Sequence, residues 1–193
     1  MYLSPVDIDV AAQEIRSADV VLMQLECHPD TVSYAAHMAA QAGVPVILNP
    51  APAPSEPLST SLLQNLYLIT PNRSEATRLS GIEVTDMESA QRAAKAIHEM
   101  GPRNVIITLG SQGSLIYDGK MFMRIEATKV QAVDTTAAGD TFNGVLASVI
   151  AEGRSLIEAA HEASIAAAIS VTRLGAQPAA PRREEIEQMK KRK

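Results

Sequence analysis

The chain has 193 residues, 46% of them apolar, and 17 Lys and Arg against 22 Asp and Glu give a formal charge of −5. That apolar content can bury a sizeable core, and the charge has the wrong sign for a nucleic-acid surface. Cys27 is the single cysteine, so no internal disulfide forms and a reducing cytoplasm fits, and no apolar run is long enough to span a bilayer.

In chain order, "SPVDIDVAAQEIR" predicts a helix with Ser4 as its cap and Pro5 at its first position. "DVVLMQL" is a continuous apolar run, the mark of a strand covered on both faces. "DTVSYAAHMAAQAG" predicts a helix ending at Gly43, and "VPVILN" and "NLYLIT" predict two further buried strands. The Pro-rich loop "NPAPAPSEP" between those strands is too short to separate domains. A short helix over "SEATRLSG" follows, then a helix capped by Asp86 and stopped at Gly101. "NVIITLG" is a strand, and "SLIYDGKMFMRIE" reads as a hairpin with Asp118 and Gly119 in its turn. The remainder is helical from Gly139, with breaks at Gly153 and Gly175. Helix 156–172 is apolar, but Glu158, His161 and Glu162 interrupt it, so it reads as a core helix. The basic end "MKKRK" reads as the solvated end of a last helix.

Strands alternating with helices predict an α/β fold with a mostly parallel sheet between helix layers, in one domain over 1–193. Ligands in such sheets sit beyond the carboxyl ends of the strands. Glu26 and Cys27, Asn49, "TPNRSE" and "TLGSQG" follow successive strands, so polar residues and glycines gather at one edge. "DTTAAGDTFNG" (134–144) follows the hairpin. Thr136, Ala137, Ala138 and Gly139 are small and precede an apolar helix, so backbone N–H groups there can approach an anion closely. Asp140 falls in the first helical turn, either as a base for an attacking hydroxyl or as an acid that merely suits the helix dipole. Gly110 and Gly113 allow a tight backbone, as a nucleotide loop needs and a plain strand-to-strand turn also uses. Glu75 is either a ligand-handling acid or a surface helix residue, and Glu26 either a sugar acceptor or a solvated strand-end acid. Cys27 has no motif and reads as a small filler; His28, His37, His98 and His161 show no metal-ligand spacing.

"DTTAAGDTFNG" closely resembles the second signature of the ribokinase-like (PfkB) carbohydrate kinases. "VLMQLE", "LNPAPA", "ITPNRSEA", "ITLGSQG" and "VTRLGAQP" resemble that family's segments in the same order, nearer to ribokinases than to fructokinases or adenosine kinases. The resemblance implies a three-layer α/β/α fold and transfer of the ATP γ-phosphoryl group to the 5-hydroxyl of D-ribose. It implies Asp140 as the base, touching the sugar, and Ala137, Ala138 and Gly139 as an anion hole. Nucleotide contacts fall on Asn72, on Thr108, Leu109, Gly110, Ser111, Gln112 and Gly113, on Gly139 and Asp140, and on Ser164, where a relative has a histidine. Glu75 is implied in handling Mg2+ indirectly, and Glu26 in holding the sugar. A potassium ion is implied beside the anion hole, on Asp134, Thr136, Ser170, Arg173 and Gly175; Ala179 stands where the family often has a serine ligand. The resemblance sets the start of the chain at the family's later, nucleotide-binding portion, without the amino-terminal strands, the β-lid and the glycine-rich sugar loop. An uncovered apolar edge and self-association are then expected, and the full-length family form is implied to be a homodimer. Alternatives are an inactive nucleotide-binding fragment and a kinase for another sugar or nucleoside. No nucleic-acid or membrane partner is expected.

Overall fold

The computed structural model describes residues 3–191 as two compact units, residues 1–109 with 115–123 and residues 110–114 with 124–193. In chain order the elements are α1 (Pro5–Val10), α2 (Ala12–Ser17), β1 (Val21–Met23), α3 (Pro29–Gln41), β2 (Val46–Leu48), α4 (Thr60–Leu63), β3 (Leu68–Ile69), α5 (Arg73–Ser80), α6 (Met87–Glu99) and β4 (Asn104–Thr108). They continue as β5 (Ser114–Tyr117), β6 (Phe122–Ile125), α7 (Ala138–Ala151), α8 (Leu156–Ser170) and α9 (Arg183–Lys190), with short 3-10 turns at Gly110–Gln112 and Gln177–Ala179. No helix among the described residues is long and apolar enough to cross a membrane.

The strands lie side by side in sequence order. β1 to β4 are parallel, in the register Val21 to Val46, Ile47 to Leu68 and Leu68 to Asn104. Sequential parallel strands joined by right-handed crossovers put their connecting helices on one face. The packing agrees: Val46, Leu48, Ile69, Val105 and Ile107 share a core with Val32 and Ala36 of α3, Leu62 of α4, Ala76 of α5 and Ala93 and Ile97 of α6. Alternate residues Ile47, Leu68 and Ile106 point the other way and are also fully buried. Each such Ile or Leu contributes about 1.5–3 kcal/mol of burial. The expectation of strands covered on both faces therefore holds for β2, β3 and β4. It fails at β1, an edge strand whose Leu22 is 38% exposed while Val21 and Met23 pack inward.

Local chemistry sets the helix ends. Ser4 donates its N–H and its hydroxyl to the Asp7 carboxylate, but the helix expected from there breaks at Ala11 (φ −95, ψ 15) into α1 and α2. Asp86 accepts the Ser89 N–H at 2.8 Å and caps α6 as expected, and Gly101 takes φ +140 just beyond that helix. α4, capped by the Ser59 hydroxyl, follows the Pro-rich loop in a stretch to which the sequence reading assigned no element. The hairpin turn forms around Asp118, whose carboxylate accepts the N–H groups of Lys120 and Met121, with Gly119 at φ +86.

In the second unit α7 and α8 form a helical hairpin through the Gly153 turn. Ile165, Ala166 and Ile169 of α8 pack with Ile186 of α9 and with Val145 and Met189. Glu162, only 9% exposed, accepts from Arg154 at 2.7 Å and from Lys190. The basic end is thus not wholly solvated: Lys190 is ion-paired, while Arg192 and Lys193 lie outside the described residues.

Gly110 and Gly113 have different reasons to be glycine. Both take positive φ, +60 and +87, but a Cβ on Gly110 meets nothing within 4 Å. On Gly113 it would lie 1.9 Å from the Ile125 carbonyl oxygen and 2.8 Å from the Ala127 nitrogen. Gly110→Ala should cost about 1–2 kcal/mol for the left-handed backbone alone. Gly113→Ala should cost that plus about 1–3 kcal/mol of overpacking against rigid backbone. Denaturant titration of both variants checks this, and equal losses would sink the account.

Candidate functional site

In the first unit, the carboxyl ends of β1 to β4 lie along one sheet edge. Glu26 and Cys27 are exposed in the turn after β1, so Cys27 is not the small filler expected of it. Asn49, after β2, is buried; it donates to the Thr70 carbonyl at 3.2 Å and accepts from Gln24 at 3.0 Å. Asn72 forms a parallel bridge with Thr108, so these two predicted residues are neighbours. The side chain of Leu109 belongs to the core, and its carbonyl accepts from Arg73 at 3.4 Å.

Asn72 and Glu75 form a capping box at the start of α5. The Asn72 oxygen accepts the Glu75 N–H at 3.0 Å, and the Glu75 carboxylate accepts the backbone N–H and the amide of Asn72 at 2.8 and 2.7 Å. Glu75 is 6% exposed, so the surface-residue reading is wrong. Burial pushes its carboxyl above the ordinary value, opposed by the Asn72 N–H. Among the described residues no three His, Cys, Asp or Glu side chains gather to hold a metal. Glu75 is a single carboxylate whose two oxygens already accept from Asn72, so by itself it is not a chelating site.

In the second unit, Gly110, Ser111 and Gln112 form an exposed 3-10 turn closed by the Gly113 N–H on the Gly110 carbonyl at 3.0 Å. Asp134 sets the geometry before α7. One carboxylate oxygen accepts the Thr136 N–H at 2.9 Å and the other accepts the Gly175 N–H at 2.9 Å. The N–H groups of Val133 and Asp134 both bond to the Val171 carbonyl, at 2.7 and 3.2 Å. The segment before α7 is thereby fixed to the segment after α8. Asp134, Thr136, Arg173 and Gly175, with Ser170 at the end of α8, are brought to one place. Ser164 is half-buried two turns back along α8, about 9 Å from Ser170 along the axis, and stands apart from this group.

Ala137 is the N-cap of α7 and takes the left-handed conformation (φ 56, ψ 16), the only non-glycine residue with positive φ among those described. A left-handed residue followed by right-handed Ala138 is the backbone sequence of an anion-binding nest, within which the Ala138 N–H donates to the Thr135 carbonyl at 3.3 Å. α7 adds the positive end of its dipole. Asp140 lies exposed in its first turn. A 410 Å³ cleft opens here; Ala137, Asp140, Thr141, Gly144 and Val145 line one side. Ala176, Gln177, Ala180 and Pro181 line the other. This arrangement can receive an anion and a hydroxyl group side by side, next to a carboxylate.

Two parts escaped the sequence reading. Asn143, 3% exposed, donates to the Gly139 carbonyl at 2.9 Å and braces the turn that carries Asp140. A lone amide inside an apolar helical run was its only signal. The far wall at 176–181 was named only through the "VTRLGAQP" resemblance and Ala179, not as a wall, and apart from Gln177 its residues are small or apolar.

The Thr136 hydroxyl and the Gly175 and Thr136 N–H groups hold the Asp134 carboxyl down to about 2. A depressed acid contributes stability above its unfolded value and loses it as pH falls through the folded one. The Asp134 clasp should therefore be intact at pH 5 and open near pH 2. Glu75 has the opposite sign: it favours the folded state when protonated, and stability falls as pH rises through its raised value. A carboxyl NMR titration of Asp134 with a midpoint near 4 would contradict the clasp. Asp134→Asn, which keeps one acceptor, should speed exchange of the Thr136 or Gly175 amide.

A family model described as pfkB family carbohydrate kinase matches residues 3–183. A ribokinase of Haemophilus influenzae is 44% identical over 184 residues, covering 95% of this chain and 60% of that protein. A ribokinase of Staphylococcus aureus is 38% identical over 190 residues, covering 98% and 62%. Arabidopsis thaliana ribokinase, solved with ribose and ATP, superimposes with a TM-score of 0.89 at 32% identity, over 97% of this chain and 59% of that one. The Thermotoga maritima ribokinase gives 0.86 at 36% identity, over 97% and 61%. The chain spans about 60% of the length of these relatives. It belongs to the pfkB family of carbohydrate kinases, and its fold is of the ribokinase-like three-layer α/β/α class.

Proposed function

We propose, from the chain's place in the pfkB family, that it carries the phosphoryl-transfer site of a ribokinase-type sugar kinase, moving the γ-phosphoryl group of ATP to the 5-hydroxyl of D-ribose. One observation carries the reading: Asp140 stands in the first turn of α7, beside the left-handed Ala137 nest, on a cleft large enough for reacting groups. The names of the relatives supply the sugar and the nucleotide.

The Asp140 carboxylate takes the proton of the 5-hydroxyl as its oxygen bonds to the γ-phosphorus. The bond from that phosphorus to the β–γ bridging oxygen breaks, and ADP leaves with that electron pair. N–H groups of Ala137, Ala138 and Gly139 face the charge spread over the transferring oxygens. Asn72, Thr108 to Gly113 and Ser164 are assigned to the nucleotide, and Glu26 to the sugar. Glu75 would help to hold the magnesium that accompanies ATP, which would supply charge neutralisation. Asp134, Thr136, Ser170, Arg173 and Gly175 would hold potassium, which would supply further positive charge. The reaction belongs to a reducing cytoplasm.

Coupled measurement of ADP release from Mg-ATP, with D-ribose, 2-deoxy-D-ribose and fructose as acceptors, tests this. Turnover should favour ribose and rise with potassium. Asp140→Asn should lower kcat about 10²–10⁴-fold while keeping nucleotide binding. Unchanged turnover in that variant would remove Asp140 from the chemistry, and loss of its folding would leave the assignment without support.

A further inference from the structure

We infer that Glu185 is a positioning residue for the cleft beside Asp140, because its ion pair with Arg173 fixes the segment that forms the cleft's far wall. That segment leaves α8 at Ser170 and enters α9 at Arg183. Its cleft-facing residues are Ala176, Gln177, Ala180 and Pro181. Few contacts are built into it. Its 3-10 turn is held by local bonds from Ala179 to Ala176 at 3.1 Å and from Ala180 to Gln177 at 3.3 Å, and Ala179 alone among 174–181 is buried. Short local bonds fix the shape of a turn and leave its placement free.

Placement comes from the two ends. At the start, the Gly175 N–H bonds to Asp134. Across the segment, two nitrogens of the Arg173 guanidinium face the two carboxylate oxygens of Glu185, twelve residues on, in a fork-to-fork pair. Glu185 is itself held, since its Oε2 accepts the Arg182 N–H at 2.9 Å in the first turn of α9, where the helix dipole favours an acid. Arg173 therefore docks on a fixed carboxylate, and the wall is closed as a loop over the cleft. The two other ion pairs of α9, Lys190 with Glu162 and Arg183 with Glu152, tie the helix to α8 and α7 without spanning the wall.

The effect on transfer rests on the kinase reading above; the clamp itself does not. Hydrogen–deuterium exchange on the full chain tests the clamp. Glu185→Gln keeps an oxygen for the Arg182 N–H and removes the charge that Arg173 needs. It should speed exchange in 174–181 by about tenfold or more, with the middle of α8 unchanged. Arg173→Met should do the same, and the double variant should add little, because both remove one interaction. Lys190→Met should leave 174–181 at the wild-type rate. Wild-type exchange in Glu185→Gln, or full additivity in the double variant, would overturn the inference. In the transfer assay, Glu185→Gln should raise KM about fivefold or more with kcat nearly kept, the mark of lost positioning rather than lost chemistry. A fall in kcat at unchanged KM would also overturn it. Retained turnover in Asp140→Asn would strike the kinase reading alone and leave exchange to decide the clamp.

Discussion

The Asp134 clasp is the interaction on which the rest of the candidate site depends. One carboxylate accepts N–H groups from Thr136 and Gly175, 39 residues apart in sequence. Through it the entry to α7 and the exit from α8 become one object. The approach to the Ala137 nest, the turn that carries Asp140 and the start of the far wall all take their places from that carboxylate. It does so in water, and its low proton affinity is the sign that its partners favour the ionised form. Hydrogen bonds to a charged acceptor are shorter and stronger than those to a neutral one.

The conformation of Ala137 follows from the same constraint. An alanine in the left-handed region is strained by about 1–3 kcal/mol and persists only where its surroundings over-determine it. Here the Asp134 clasp lies just before it, and the helix turn from the Thr141 N–H to the Ala137 carbonyl, 2.9 Å, follows it. Asn143 braces the next carbonyl, that of Gly139. Strain held between two anchors fixes the turn at the start of α7, inside which the Ala138 N–H donates to the Thr135 carbonyl at 3.3 Å.

Much of this was legible in the sequence. Apolar runs marked β2, β3 and β4, and the cap at Asp86 and the turn at Asp118 sat where side-chain chemistry put them. "DTTAAGDTFNG" marked the start of α7 and the acid in its first turn before any coordinates. What was not legible depended on neighbours distant in sequence. An apolar run cannot say that it is an edge, so the exposure of Leu22 was missed. Glycine spacing cannot distinguish a flexible turn from a contact, so the clash of Gly113 with Ile125 was missed. Glu75 reads as an ordinary helix acid until its burial is seen, and Cys27 as an ordinary filler until its exposure is. The wall at 176–181 acts through its shape and through an ion pair closed across it, and neither leaves a motif.

Asp134 and Asp140 show how one residue type meets two environments within seven positions. Asp134 has both oxygens committed to backbone donors, so it can shape a loop but has little capacity left for a proton. Asp140 sits at the mouth of a cleft whose other surfaces are mostly alanine, valine, glycine and proline. The far wall bounds that cleft opposite α7, and its place is set at the two ends of the 173–185 loop, by the Gly175 N–H on Asp134 and by the Arg173–Glu185 pair.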